Sequence, residues 1–139
     1  MLLLTLAFVT TSLAMPFTDC TKGKGTVQTT SLELTPNPPQ SDRNVTLTMG
    51  YIQKKPINDA KCQHVVFKSI IPVAKKEFSF CERKQCPQAA GNYTEVQEHF
   101  VNKMIPVGDY RVESSCVNQN KVQVWCTSFN VTLVGDEEF

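Results

Sequence analysis

Six cysteines constrain the fold of this chain more than any other feature of its sequence. They are Cys20, Cys62, Cys81, Cys86, Cys116 and Cys126. In an oxidising compartment an even set predicts three disulfides and no free thiol, and the sequence alone leaves the pairing open. Cys81 and Cys86 lie close together between the alternating Phe78 and Phe80 and the turn residue Gly91. This spacing predicts a stapled loop at the end of a strand.

The amino-terminal segment indicates which compartment that is. An apolar run from Leu2 to Val9 ends at Ser12-Leu13-Ala14, which is typical of a secretory leader with small residues at the cleavage site. The run is too short to span a bilayer, and no second long apolar run follows. We therefore expect a signal peptide at 1–14, a single domain at 15–139, and a location outside the cell or in the lumen of the endolysosomal system.

Three Asn-x-Thr sequons agree with this compartment. They begin at Asn44, Asn92 and Asn130 and predict glycosylation at the surface. The net charge of +1 gives no basic footprint, so a nucleic-acid partner is not expected. A metal site is not expected either, because the pair Cys81 and Cys86 has no second close pair and the two histidines are distant in sequence.

The rest of the chain reads as short β-rich runs separated by turns. Val45, Leu47, Met49 and Tyr51 alternate with small or polar residues, which predicts a strand with one buried face. The last run changes parity between Val124 and Phe129, so we expect a bulge near Thr127-Ser128 or burial of both faces. About seven such strands predict an all-β fold, an immunoglobulin-like antiparallel β-sandwich of two sheets.

Catalytic motifs are missing from the sequence. It has no Gly-x-Ser-x-Gly elbow, no His-Glu-x-x-His and no phosphate-binding glycine loop. His64 and His99 fall in separate predicted strands and cannot be assigned to a shared site, so we interpret each as a surface or packing histidine. We expect a protein that is not an enzyme and needs no cofactor.

Several motifs occur in an order that resembles one known family. These are Asp19-Cys20, Leu34-Thr35-Pro36-Asn37-Pro38-Pro39, Phe78-Ser79-Phe80-Cys81-Glu82, Cys86-Pro87-Gln88-Ala89-Ala90-Gly91-Asn92-Tyr93, Ile105-Pro106-Val107-Gly108-Asp109-Tyr110 and Cys126. They resemble the ML-domain lipid-recognition proteins, above all the phosphatidylglycerol/phosphatidylinositol transfer proteins and the Niemann-Pick type C cholesterol carriers. The resemblance covers nearly the whole chain after residue 14.

The resemblance implies a disulfide pattern. Cys20 is expected to pair with Cys126 and Cys81 with Cys86, which leaves Cys62 and Cys116 for each other. The sequence departs from the cholesterol carriers at one point. Their early short-range cysteine pair has no counterpart near Pro36 to Gln40.

The function that the resemblance implies is non-covalent binding of a phospholipid or sterol in an apolar cavity between the sheets, with transient membrane contact and a possible protein acceptor or receptor. For inward-facing positions an ordinary filled core is a competing interpretation. At the mouth, Ile71, Val73, Ile105 and Val107 form an exposed rim or are buried in a closed core. An Ig-like adhesion or immune-accessory module without transfer activity is the alternative function. The residues expected to contact ligand are Tyr51, Phe67, Ile71, Val73, Phe78, Phe80, Phe100, Ile105, Val107 and Tyr110.

Overall fold

The structure of this protein is a computed structural model that describes residues 14–135. Over that range it contains strands and no helix, which confirms the predicted all-β sandwich. The eight strands are β1 (Thr18–Asp19), β2 (Val27–Thr35), β3 (Asn44–Gln53), β4 (Lys61–Lys68), β5 (Ile71–Ser79), β6 (Gly91–Phe100), β7 (Gly108–Val117) and β8 (Gln123–Leu133).

The strands form two antiparallel sheets. One has five strands in the order β1-β8-β7-β4-β5, and the other has three in the order β2-β3-β6. Consecutive strands β5 and β6 are therefore edge strands of different sheets, and side chains from both border a shared cleft. On this side of the sandwich, residues 14–135 form no backbone hydrogen-bond ladder between the sheets.

Alternation along the strands builds the interior, as the sequence predicts for β3. Val45, Leu47, Met49 and Tyr51 are all buried on one face of that strand. On β8, Val124 and Cys126 are buried on one face while Trp125 and Phe129 are buried on the other. Both faces of β8 are thus covered, which is the second of the two arrangements expected from its parity change.

The predicted bulge at Thr127-Ser128 is absent from the β7–β8 ladder. Thr127 and Ser128 pair in continuous register with Ser114 and Glu113. The irregularity in this ladder lies instead between Cys116 and Val117 on β7.

All three disulfides form with the expected partners. Cys20–Cys126 joins the segment after β1 to β8 across 106 residues, and Cys62–Cys116 joins the neighbouring strands β4 and β7. Cys81–Cys86 closes the loop between β5 and β6. No free cysteine is present in the described part of the chain.

A buried amide pair holds the stapled loop against the three-stranded sheet. The Gln53 side chain donates to the carbonyl of Gln88 at 2.7 Å, and the Gln88 side chain donates to the Tyr51 hydroxyl at 3.0 Å. The backbones of Ile57 and Gln88 also exchange two hydrogen bonds, of 3.0 and 2.9 Å. Because these polar groups satisfy each other, the loop closes one end of the sandwich without leaving unpaired buried amides.

The predicted leader lies outside the described residues except for Ala14, which is exposed. Between residues 14 and 135 no helix is long and apolar enough to cross a membrane.

Candidate functional site

An apolar cavity of about 270 Å³ lies between the sheets at the end opposite the stapled loop. Its walls come from every long strand, because inward positions alternate along each of them. Leu34, Val45, Leu47, Val66, Val112, Phe129 and Val131 form the inner wall, and Pro39, Ala74, Phe100 and Ile105 lie nearer the mouth. A sandwich with a filled core would have no space of this volume between its sheets.

Exposed apolar side chains cluster around the mouth. The β4–β5 hairpin presents Ile70, Ile71 and Val73, and the end of β6 with the following loop presents Phe100, Met104 and Val107. Ile70 is 86% exposed and Met104 is 79% exposed, which is unusual for such large side chains. We call these six residues the apolar rim. Exposed apolar groups gathered at one place mark an interaction surface.

Cations flank the rim. The Lys68 ammonium lies 4.8 Å from the ring centre of Tyr110, and the Arg111 guanidinium lies 4.3 Å from that of Phe67. The basic heads sit over aromatic faces, an arrangement that keeps each cation at the surface and orders its stem. Arg111 is also paired with the Glu113 carboxylate at 2.8 Å, so among the described residues Lys68 is the one of these two cations without a carboxylate partner.

A hydrogen-bonded chain of polar side chains crosses between the sheets beside the cavity, and we call it the inter-sheet network. From the five-stranded sheet, His64 Nδ1 lies 2.6 Å from Ser114 Oγ, and its Nε2 lies 2.7 Å from Gln97 Oε1 on β6. The Gln97 amide donates to Glu95 at 2.9 Å, and Lys84 pairs with the same carboxylate oxygen at 2.9 Å. Its members are Lys84, Glu95, Gln97, His99, His64 and Ser114.

Hydrogen-bond roles in this network fix the state of both imidazoles. Because the Gln97 amide nitrogen donates to Glu95, its oxygen must accept, and it lies 2.7 Å from His64 Nε2 and 3.1 Å from His99 Nε2. Both rings therefore carry a proton on Nε2, and His64 Nδ1 accepts from the Ser114 hydroxyl when the ring is neutral.

Burial favours these neutral rings. It lowers the pKa of His64, although the bond to Gln97 acts in the opposite direction. Burial, together with the nearby His64, Lys76 and Arg83, lowers the pKa of His99 to about 4. The ring centres of His64 and His99 are only 5.3 Å apart, so a proton on one opposes a proton on the other.

The residues expected to contact ligand fall into three places. Phe100 and Ile105 line the cavity. Ile71, Val73 and Val107 are exposed at its mouth, which is the exposed-rim arrangement and not the closed core. Phe78 and Phe80 line a smaller space deeper in the sandwich. Tyr51 is 2% exposed and stacks against Trp125 in the closed end.

Two predicted contact residues lie elsewhere than expected. Phe67 shares a register position with Arg111, whose guanidinium covers its ring on the outer face of the sheet. Tyr110 is buried, and its hydroxyl donates to the carbonyl of Pro106, so it anchors the loop before β7. Neither side chain lines the cavity.

His64 and His99 are half-buried, which agrees with the packing interpretation, but the fold brings together two residues that the sequence could not assign to a shared site. The two histidines fall in separate predicted strands, and local periodicity does not show that β4 and β6 face each other. One signal was present in the sequence. Glu95, Gln97 and His99 share the parity of Tyr93, and a strand with one buried face puts all four on the same side.

One group of side chains between residues 14 and 135 has the spacing of metal ligands. It consists of Cys20, Cys126 and Glu113. Both sulfurs belong to the same disulfide, so neither is available as a thiolate ligand.

Sequence comparison now decides the family. The model that describes the ML domain matches residues 14–133. This chain belongs to the ML-domain family. Among curated proteins it is similar to a phosphatidylglycerol/phosphatidylinositol transfer protein of Mycosarcoma maydis, at 24% identity over 123 residues. That match covers 83% of this chain but 64% of the relative's length.

Solved structures show the same ML fold. A Niemann-Pick type C2 protein from Japanese carpenter ant matches with a TM-score of 0.69 and 14% identity, covering 86% of this chain and 99% of that one. Chicken MD-1 complexed with lipid IVa matches with a TM-score of 0.60 and 10% identity, covering 84% of this chain and 86% of that one. At these identities the likeness establishes the fold alone.

Proposed function

We propose that this protein binds lipids non-covalently between its two sheets and transfers them between membranes. The observation that carries the proposal is the apolar cavity of about 270 Å³ opening through the apolar rim. Membership of the ML-domain family supports it, as do the lipid names carried by the fungal relative and by the MD-1 complex.

The physical basis is the transfer of methylene groups from water into a dry cavity. Each buried methylene gains about 0.8 kcal/mol, so an acyl chain of some fifteen carbons gains on the order of 10 kcal/mol before association costs. No covalent chemistry is needed. Ser114, His64 and Gln97 do join a hydroxyl, an imidazole and an orienting amide, but Ser114 is buried inside the inter-sheet network. The protein acts as a carrier and not as an enzyme.

The apolar rim supplies a route between cavity and membrane. Six exposed apolar side chains lie at the mouth, and their contact with the hydrocarbon boundary would remove them from water as the ligand passes. The Lys68 ammonium stands behind the rim, where lipid headgroups lie during such contact. Transient membrane contact is therefore part of the proposal.

The compartment is the secretory pathway, leading outside the cell or into the endolysosomal lumen. Three disulfides support this, since such bonds persist in oxidising compartments. Asn44, Asn92 and Asn130 are all exposed, so each sequon is accessible for glycosylation.

One preparation tests the proposal. The full chain is expressed in eukaryotic cells, recovered from the medium, treated with a glycosidase, and measured by native mass spectrometry. We expect a mass loss on glycosidase treatment, a bound lipid in the native spectrum, and movement of labelled phospholipid or sterol between vesicles. A lipid-free spectrum together with absence of transfer would refute the carrier function and favour the adhesion or immune-accessory alternative.

A further inference from the structure

The ionisable residues that line the cavity are all of basic types. They are His64, Lys75, Lys76 and His99, and no carboxylate among the described residues joins them in the cavity wall. An apolar cavity that holds only neutral hydrocarbon gains nothing from such a wall. Because both imidazoles are neutral, the charge of this wall comes from its lysines, and a positive charge beside an apolar space favours an amphiphile with an anionic head.

Two of the four basic groups are already occupied. Both nitrogens of His64 are engaged, by Ser114 and by Gln97. The Lys75 ammonium is paired with Glu77 at 3.0 Å. These groups shape the wall and its charge, but they have less capacity for a ligand.

Lys76 and His99 remain. Between residues 14 and 135, the Lys76 ammonium has no ion pair and no hydrogen bond, and His99 has one hydrogen bond, from Nε2 to Gln97. Both residues line the cavity and also an adjoining polar cleft of about 110 Å³ between the β5 and β6 edges. Four carboxylates, of Glu77, Glu82, Glu95 and Glu98, line the cleft as well, and those of Glu77 and Glu95 are already paired with Lys75 and Lys84. Lys76 and His99 therefore stand where the apolar space meets water, which is where the head of an amphiphile lies.

The electrostatics agree with this placement. Lys76 is close enough to both imidazoles to lower the pKa of each. The positive potential of Lys76 thus reaches His64 and His99, and an anion bound there would offset that potential and favour protonation of His99.

The size of the cavity limits the ligand as well. Ligand pockets usually measure about 300–1,000 Å³, and this cavity of about 270 Å³ lies just below that range. A single acyl chain is the ligand that such a volume accommodates with least movement of the sheets. Two chains would require the sheets to separate, against the side-chain bonds of the inter-sheet network.

We propose that Lys76 and His99 form a headgroup site that selects single-chain lipids with an anionic head, a carboxylate or a phosphate. This inference rests on the proposed lipid-binding function. Lys76 provides a charge-assisted hydrogen bond to the anion, and His99 contributes either as an acceptor at Nδ1 or, once protonated beside the anion, as a second donor. Lys76 is exposed, so beside a neutral hydroxyl its ammonium would be solvated by water and would have no anionic partner.

Ligands of matched chain length test the preference in the unmodified protein. Palmitate, palmitoyl lysophosphatidic acid, hexadecanol, dipalmitoyl phosphatidylglycerol and cholesterol are each titrated against one displaceable fluorescent fatty-acid analogue. We expect palmitate or the lysophospholipid to bind at least about tenfold more tightly than hexadecanol. The ranking of those two separates carboxylate from phosphate, and weaker binding of the two-chain lipid supports the size limit.

A matched pair of variants tests the residue. Lys76→Met is expected to lower the affinity for the preferred anion by about tenfold and that for hexadecanol by less than about twofold. The control Lys61→Met removes the same charge from an exposed position at the far end of β4 and should change neither affinity. Thermal melting of both variants checks folding, and the ligand ranking in the unmodified protein stands independently of it.

The result that would overturn the headgroup site differs from the result that would overturn the lipid-binding function. Equal affinity for palmitate and hexadecanol, or equal effects of the two variants, would overturn the headgroup site while leaving a lipid carrier intact. Two-chain and single-chain lipids of equal affinity would overturn the size limit. If none of the five lipids binds, the proposed function fails as well.

Discussion

At the scale of single residues, the inward face of β6 carries the main departure from sequence expectation. A sandwich strand normally buries apolar side chains, but Glu95, Gln97 and His99 point between the sheets. They are tolerated because each finds a partner in the inter-sheet network, so the burial cost of these polar groups is offset. Neutral His64 and His99 make this arrangement sensitive to acid.

The pKa of His99 predicts how stability changes with pH. Its folded value of about 4 lies below its ordinary value near 6.5, so the unfolded chain binds more protons between these limits. The contribution is fully present above about pH 6.5 and is lost as the pH falls towards 4. We expect the melting temperature to drop as the pH is lowered from 7 to 5, and His99→Gln to reduce that drop by about half.

The pH experiment can be assigned to few groups, because the chain has only two histidines. The groups that act on His99 are Gln97 on its own strand, His64 on β4, Lys76 on β5 and Arg83 in the stapled loop. Melting curves at several pH values, measured on apo protein, provide the comparison. An unchanged pH dependence in His99→Gln would contradict the assignment.

At the scale of elements, the two loops at the mouth set the character of the site. The β4–β5 hairpin and the β6–β7 loop are far apart in sequence, and both bring apolar side chains into solvent at the same end of the sandwich. The sequence indicated Ile71, Val73, Ile105 and Val107 as rim candidates but could not choose between exposure and burial. The fold leaves Ile71, Val73 and Val107 exposed and turns Ile105 towards the cavity.

Two valines with almost equal exposure allow a test of the rim. Val107 is 57% exposed at the mouth, and Val122 is 56% exposed in the turn at the other end. We expect Val107→Asp to slow lipid transfer between vesicles by about tenfold, because it places a charge where an apolar side chain would meet the membrane. Val122→Asp should leave the transfer rate within about twofold of the unmodified protein.

Stability measurements distinguish an effect on membrane contact from a loss of folding. Both valines are exposed, so neither substitution should shift the unfolding midpoint appreciably. Equal transfer rates for the two variants would show that the apolar rim is not the membrane contact.

At the scale of the whole molecule, the disulfides are expected to stabilise the folded state by unequal amounts. Cys20–Cys126 closes a loop of 106 residues, whereas Cys81–Cys86 closes one of five. Chain-entropy arguments give about 5 kcal/mol for the long loop and about 2 kcal/mol for the short one. The long-range bond ties the amino-terminal segment to β8, next to the β7–β8 ladder at the centre of the sheet.

Replacing each pair by serine tests this difference. The Cys20→Ser, Cys126→Ser protein should lose about 5 kcal/mol in free energy of unfolding, and the Cys81→Ser, Cys86→Ser protein about 2 kcal/mol. Urea unfolding of both, under conditions that keep the other disulfides oxidised, makes the comparison. A larger loss from the short staple would mean that contacts such as those of Gln88, and not chain entropy, dominate its effect.

The sequence by itself determined the strand pattern, the two-sheet class and, through its motifs, the family. These properties follow from local alternation and from residues that lie close together along the chain. The tertiary structure alone decided that Phe67 faces outward, that β8 is covered on both faces, and that His64, His99 and Lys76 meet at one wall. Such contacts join strands whose order in the sheets is not encoded by local periodicity, because a period of two gives each strand a face but not a neighbour.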